Sequence, residues 1–565
     1  MDFANRLFSS SFLFLISTQT YTNQKMMAHK TIGIILITIS ASVTAQTYID
    51  ADPFYLLANE KTYFSGSNDY GSLLFRPLFK TFQHPHSSWS VRLKTEFFRN
   101  QNAPNLENTS VRWIGKGISE YKSVSISYLG QHLAFSIEPY RFFSQNKDYN
   151  VPVRVGLYSK LNDMRPFSEK PLYLSGVRET QIFLHHQGFS LGISNANMWW
   201  GPGLHSSLQM SNNAPGFRYF SLGTLDEKRI NNIGFNMKYV FTQMDFRNKG
   251  EPYFTALLFS STYYNNPQFT VGFSRSYLSG SGTNEAVPGS WAYISSKNAM
   301  MLPFEELFLK DKQTDPEDPD SSVDLWDEIL VGYLVASFPN SGLKIYIEYG
   351  RDDHAWDKDD FIRQPDHSGA GVFGLRKYGL FDRENLVGGL EYTTLIKSKF
   401  WTKRVPGTWY SKGVYDNNSY NGRWWGAHSG PDSDDFYIYF GYMGEKFSII
   451  PAFNYERHGV IDNTALVLEK RPYLIYNPDT GRWVAEIVEQ WRERQVNIWP
   501  EVKIEFRLDV RYRFKGFDFN FFYEDEVVDN LEFNWGERRG EVWWIGIERT
   551  IDSEDFRAFR KRKLP

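Results

Sequence analysis

Val502-Lys503-Ile504-Glu505-Phe506-Arg507-Leu508-Asp509-Val510-Arg511-Tyr512-Arg513-Phe514 alternates without a break between apolar or aromatic side chains and charged ones. On a helix this order would scatter charge around the whole cylinder. On a strand, where successive side chains point to opposite faces, it makes one apolar face and one ionic face. The segment therefore reads as a strand, with its even-numbered residues on the apolar side. A run of this length exceeds most globular strands but suits one tilted across a bilayer, which takes about 9–11 residues plus a short extension. Shorter versions recur at Trp89-Val91-Leu93, Val124-Ile126-Tyr128, Leu343-Ile345-Ile347, Phe436-Ile438-Phe440-Tyr442 and Phe517-Phe519-Phe521. Turn material separates them, at 65–69, 279–284, 339–342 and 477–481.

Composition narrows what such strands can build. The 565 residues include Trp 17, Tyr 34 and Phe 46 and no cysteine, which excludes disulfide scaffolds, cysteine-based zinc sites and thiol catalysis. A net charge of -3 gives no basic excess for nucleic acid, so no nucleic-acid partner is expected. A mean hydropathy of -0.46 is too polar for repeated apolar helical spans. What remains is a large β protein, and strand length together with aromatic abundance favours an all-β, antiparallel transmembrane barrel in contact with outer-membrane lipid.

The N-terminus agrees. Residues 26–45 read as a secretory signal peptide, with Lys30, an apolar run from Ile32 to Ile39 and small residues Val43-Thr44-Ala45 before Gln46. Residues 1–25 read as an upstream extension from a start codon placed too early. Segment 46–85 reads as an N-terminal periplasmic or helical piece, since Asp52-Pro53 before FYLLANEKTYF is an N-cap followed by proline at the first helical position. The barrel is expected over 86–548 and a charged tail over 549–565, with the protein in the outer membrane, inserted by the barrel-assembly machinery.

Chemistry-bearing motifs are sparse. His205-Ser206-Ser207 puts an imidazole beside hydroxyls, but no G-x-S-x-G elbow accompanies it. His84-Pro85-His86 lacks a recognisable third ligand and reads as a turn. The acidic stretch 314–323 lacks the glycine and closing glutamate of a calcium loop and reads as a solvated loop. Neither a catalytic set, nor a metal site, nor a cofactor is expected.

Two longer segments are more specific. Residues 197–215, NMWWGPGLHSSLQMSNNAP, resemble the W-G-P-G…S-L…S-N-N-A-x-P signature of the capsule assembly protein family Wzi. The stretch from Gly389-Leu390-Glu391-Tyr392-Thr393 through Trp409-Tyr410, Tyr415, Tyr420-Asn421-Gly422-Arg423 and Gly426 to Gly430-Pro431-Asp432-Ser433 resembles that family's later block. The segment from Val331 to Glu348 lies between them, as the resemblance requires. It implies an outer-membrane lectin of about eighteen strands with helical elements on the periplasmic side, binding capsular or other surface polysaccharide, with no catalysis.

Residues suited to sugar contact in these blocks are Trp199, Trp200, Asn212, Asn213, Arg423, Trp424, Trp425, Asp432 and Ser433. Indole rings offer flat apolar faces, and the polar groups can hydrogen-bond hydroxyls. The same residues also suit structural turns and interfacial aromatic girdles, as do Tyr437, Tyr439, Trp543 and Trp544. The charged end of the chain departs from the usual terminal barrel strand. Functional alternatives at this point are a gliding-motility or adhesion barrel, a porin and a barrel hydrolase.

Overall fold

The computed structural model describes residues 48–553 apart from 66–70, 82–86, 105–106, 166–169, 246–250, 281–298, 305–313, 316–317, 323–325, 353–361, 363, 399–406, 411–417, 462 and 496–498. The leader at 26–45, the extension before it, His84 to His86 and residues 554–565 lie outside the described residues.

Eighteen antiparallel strands close into one barrel, counting Tyr219–Thr224 and Lys228–Ile230 as two parts of one strand along a shared neighbour. In chain order they are β1 (Ser88–Asn100), β2 (Gly117–Leu129), β3 (Leu133–Ser144), β4 (Leu172–His186), β5 (Phe189–Ser194), β6 (the divided strand), β7 (Ile233–Gln243), β8 (Tyr253–Tyr263) and β9 (Gln268–Ser279). They continue as β10 (Trp326–Phe338), β11 (Leu343–Asp352), β12 (Gly369–Tyr378), β13 (Leu386–Thr394), β14 (Ser433–Met443), β15 (Phe447–His458), β16 (Glu501–Phe514), β17 (Phe517–Leu531) and β18 (Gly536–Asp552). Every strand pairs with its sequence neighbour, and β18 pairs with β1 from Val542↔Asn100 to Asp552↔Ser90. Closure satisfies each strand's backbone groups within the sheet, which a hydrocarbon surround requires. Among the described residues no helix is long and apolar enough to cross a membrane.

The alternation sets the two faces. On β16, Phe506, Tyr512 and Phe514 point outward and are about half exposed, while Glu501, Lys503 and Glu505 are buried inside. Leu93, Ile126, Ile347, Phe440 and Phe519 repeat the outward pattern on other strands. The last strand reaches Asp552, so Arg549 to Asp552, read above as the start of a tail, are sheet residues. Closing the barrel gives them partners in Leu93, Arg92, Val91 and Ser90, and that pairing outweighs their poor apolar pattern.

The two ends differ. Connections at one end are short, at 130–132, 187–188, 231–232, 264–267, 339–342, 379–385, 444–446 and 515–516. At the other end they are long, at 101–116, 145–171, 195–218, 280–325, 395–432 and 459–500 among others, with 532–535 the short exception. Within 459–500, Thr464–Asn477 and Arg482–Gln495 pair with each other alone and form a hairpin apart from the barrel sheet. A smaller hairpin, Thr314–Asp315 with Asp318–Ser322, occupies the acidic stretch read above as a bare loop.

The lumen is filled from both ends. Helix α1 (Pro53–Phe64) starts at Asp52, whose carboxylate accepts the Phe54 N–H at 2.9 Å, and buries Leu56, Leu57 and Glu60. It packs with Ile49, Leu78 and Leu204 against Tyr378, Val387, Met443 and Ile450 of the inner wall, near the short-turn end. From the long-loop end, 195–218 and the described residues of 395–432 enter the barrel and bury Trp200, Leu208, Met210, Trp409, Trp424 and Trp425 against Phe254, Leu258, Val331, Tyr333 and Val372.

Candidate functional site

The two sequence blocks singled out above meet inside the barrel. Ser211 donates its N–H to the Trp425 carbonyl at 2.7 Å and its hydroxyl to the Gly426 carbonyl at 2.6 Å. Asn213 Nδ2 donates to the Trp424 carbonyl at 3.0 Å, and the Tyr410 hydroxyl bridges the Leu208 carbonyl and the Ala427 N–H. Trp199-Trp200 forms a two-residue ladder with Phe75-Arg76 of the N-terminal segment, which ties a third piece of chain into the same plug.

The turn after Trp200 is held by two carboxylates of the barrel wall. Glu391 on β13 accepts the N–H groups of Leu204 at 2.7 Å, His205 at 3.0 Å and Ser206 at 2.6 Å. Glu348 on β11 accepts those of Gly203 at 3.3 Å and Leu208 at 3.2 Å. Gly201 has φ +138°, and a Cβ there would lie 2.1 Å from Glu348 Oε1, so the close approach of chain to carboxylate needs glycine. Arg376 donates to the Pro202 carbonyl at 2.7 Å and to Glu60 at 3.0 Å, which couples the turn to α1. Burial opposes the Glu60 carboxylate, but Arg376 and Lys344 outweigh it and hold its pKa down at about 2.

All nine residues read above as sugar contacts are buried. Trp200 faces Phe254, Trp425 packs on Phe217 and Phe254, and Trp424 stacks on Tyr410 at 5.2 Å. Trp199 lies under Arg76, whose guanidinium carbon is 5.0 Å from the ring. Asn212 Nδ2 donates to the Asn108 carbonyl at 3.0 Å, and Arg423 Nη1 donates to Thr109 at 3.0 Å while its guanidinium lies over Trp113. Asp432 accepts the Lys397 N–H at 3.1 Å and the Ile461 N–H at 2.8 Å, and Ser433 donates to the Gly430 carbonyl at 2.6 Å. These four tryptophans belong to the lumen plug and not to a girdle at the membrane interface. Trp199, Trp200 and Trp424 sit in strands only two residues long that pair inside the barrel, and Trp425 follows directly and is buried in the same core, so no lipid-facing register is open to them. Tyr439 is likewise buried on the inner face.

Beside the turn lies a polar cluster that the sequence reading touched only at His205. The His205 ring stacks on Tyr437 at 4.1 Å and meets His428 edge-on at 4.5 Å. Its Nε2 is 3.3 Å from Asp435 Oδ2 and 3.7 Å from Glu107 Oε2, and Nε2 of His428 is 3.2 Å and 3.4 Å from the same two atoms. Lys503 contacts Glu107 and Glu456, and Arg507 contacts Glu107 and Glu505. Burial works against a charged His428, yet Glu107 and the neighbouring carboxylates push its pKa up to about 9. Burial likewise opposes the Glu107 carboxylate, and Arg507, His428 and Lys503 bring it well below the usual carboxylate range.

His205 is therefore engaged with carboxylates, while the adjacent Ser207 hydroxyl donates to the Trp200 carbonyl at 2.5 Å. Glu107, His428 and Asp435 carried no motif of their own. The available signal was the charged face of β16, where Lys503, Glu505 and Arg507 require partners inside the barrel.

A family model described as capsule assembly protein Wzi matches residues 102–445. Among solved structures the chain is similar to Wzi of Escherichia coli, described as an outer membrane protein involved in group 1 capsule assembly and a carbohydrate-binding β-barrel. The two share 11% identity over 89% of this chain and 99% of that one, with a TM-score of 0.56. Matches also include OccAB4 of Acinetobacter baumannii, at 10% identity over 83% and 99% of the two chains with a TM-score of 0.37. OprD of Pseudomonas aeruginosa matches at 6% identity over 83% and 95%, with a TM-score of 0.36. No protein of curated function matches the sequence. The matched span covers more than half of the chain, includes both sequence blocks and the glutamates that hold them, and places this protein in the capsule assembly protein Wzi family.

Proposed function

We propose that this protein is an outer-membrane barrel that binds capsular or other surface polysaccharide at its long-loop end and helps hold it at the cell surface, without cleaving it. The family supports this reading, and so does the filled lumen, which leaves the long loops as the chemistry offered to a large ligand. The observation that carries it is the plug itself, because two blocks of sequence and the N-terminal segment are spent on closing the barrel.

In this reading the nine buried residues serve the ligand indirectly, by fixing the loops that emerge above them. The leader at 26–45, cut after Ala45, exports the chain, and the barrel-assembly machinery inserts it with its outward apolar face in lipid. The hairpin supplies candidate sugar contacts. Tyr476 and Trp483 pair across the strands near its tip with ring centroids 5.5 Å apart, and both are more than half exposed. Exposed aromatic faces of this kind stack on sugar rings, and many such weak contacts along a polymer add up through effective concentration.

The test uses the purified barrel and the long polysaccharide of its own cell. Retention of the polymer, weak binding of single sugars and an unchanged polymer length are expected, with retention reduced in Tyr476→Ala/Trp483→Ala. Shortened polymer would point to a hydrolase, and intact but unbound polymer would overturn the binding reading. Cells lacking the protein should release polysaccharide into the medium while still making it.

A further inference from the structure

We infer that Glu107, His205, His428 and Asp435 form a closed site for one zinc-type divalent cation, placed where the loops of the plug meet the barrel wall. Ligand bonds of about 2.0–2.1 Å at tetrahedral angles set neighbouring donor atoms roughly 3.3–3.4 Å apart. The four distances from the two histidine Nε2 atoms to Glu107 Oε2 and Asp435 Oδ2 are 3.7, 3.3, 3.4 and 3.2 Å, close to the edges of such a tetrahedron. Ligand atoms of Glu107, His205 and His428 all lie within 4.8 Å of one another.

A second observation concerns hydrogen-bond geometry. Among the described residues, neither ring nitrogen of His428 and not Oδ2 of Asp435 makes a hydrogen bond, although all three atoms are buried. Nε2 of His428 and Oδ2 of Asp435 converge on the same point, 3.2 Å apart and without hydrogen-bond geometry, an arrangement that a shared cation would satisfy. The surroundings orient the donors as outer groups orient metal ligands. Asn454 Nδ2 donates to Asp435 Oδ1, which turns Oδ2 inward, and lies 3.1 Å from His205 Nε2, a contact the cation would replace; the Tyr437 ring fixes the plane of His205, and Lys503 and Arg507 hold Glu107.

Charge allows a cation despite those two neighbours. Glu107, Glu456, Glu505 and Glu524 surround Lys503 and Arg507, and Asp435 faces the two histidines, so carboxylates outnumber the fixed cations. Four protein ligands leave no open position, which makes the site structural and not catalytic. Its ligands come from 101–116, 195–218, 395–432 and β14, so one ion would pin three long-loop segments to the wall.

The experiment loads the full barrel in detergent with Zn²⁺, removes unbound metal by dialysis and measures zinc by mass spectrometry. About one zinc per folded chain is expected, and Co²⁺ in its place should give the intense visible bands of tetrahedral coordination. Asp435→Asn and His205→Ala/His428→Ala should lose the metal, while His185→Ala/His186→Ala, at the short-turn end, keeps it. Faster migration of unboiled samples identifies folded barrel in each case. Folded wild-type protein that retains no zinc, or a folded His205→Ala/His428→Ala variant that retains it, would overturn the site. So would a weak, octahedral cobalt spectrum. The outcome is independent of polysaccharide binding, which can succeed or fail separately.

Discussion

Leu508 and Asp509 are adjacent on β16 and face opposite media. Leu508 shares the outward face with Phe506 and Tyr512, whereas Asp509 pairs with Arg511 at 3.0 Å on the inner side. Leu508→Arg should cost about 2–4 kcal/mol if it lies near the bilayer midplane. Asp509→Asn, which removes a partly exposed ion pair, should cost on the order of 1 kcal/mol or less. Unfolding of the two variants in lipid vesicles measures the difference, and equal losses would reject the facing. Glu391 is a residue of the opposite kind, buried and accepting three backbone N–H groups of the plug. Each donor orphaned by Glu391→Ala costs about 1–3 kcal/mol, while Glu391→Gln keeps one acceptor oxygen and should lose less. Thermal midpoints in that order, wild type above Gln above Ala, are the expected result.

At the scale of elements, one carboxylate of α1 is bound by three side chains of the barrel wall. Glu60 contacts Lys344 at 2.6 Å and Arg376 at 2.9 Å and accepts the Tyr378 hydroxyl at 2.8 Å. Its pKa of about 2 lies below the ordinary value of 4.5, so the folded state binds this proton less readily than the unfolded chain. The resulting stability is fully present above about pH 4.5 and is lost as pH falls toward 2, with a ceiling of about 3 kcal/mol. Circular dichroism melts of wild type and Glu60→Gln should therefore diverge at pH 6 to 7 and converge near pH 2. Curves that stay parallel over that range would mean the carboxylate does not dock the helix.

Across the whole molecule, the arrangement is a membrane barrel closed on itself and then filled. A wall of eighteen strands would enclose a wide lumen, and here α1 enters from the short-turn end while 195–218 and the described residues of 395–432 enter from the long-loop end. Wild-type protein in planar bilayers should accordingly pass little ion current. Trp424→Ala/Trp425→Ala, which removes two buried rings from the plug, should open flickering conductance while the barrel still migrates as folded before boiling. Large steady currents from the wild type would argue for a diffusive pore.

The sequence by itself determined the strands and their facing, because the period of two in Val502 to Phe514 has only one physically sensible backbone, and its polar face at lipid would be prohibitive. It also determined the start of α1, since an aspartate cap and a following proline act locally. The Wzi blocks were legible as blocks, but their use was not. Trp199, Trp200, Trp424 and Trp425 were compatible with sugar, girdle or core, and only the tertiary structure decided for the interior of the plug. The same holds for Glu391, which is one inward residue among many until 204–206 lie against it. It holds most of all for Glu107, His205, His428 and Asp435, whose separations in sequence carry no spacing rule and whose few ångströms of separation in space exist only once the barrel closes around the loops. The physical reason is one of range: alternation and capping are contacts between near neighbours in the chain, whereas a site built from loops depends on contacts that chain order does not encode.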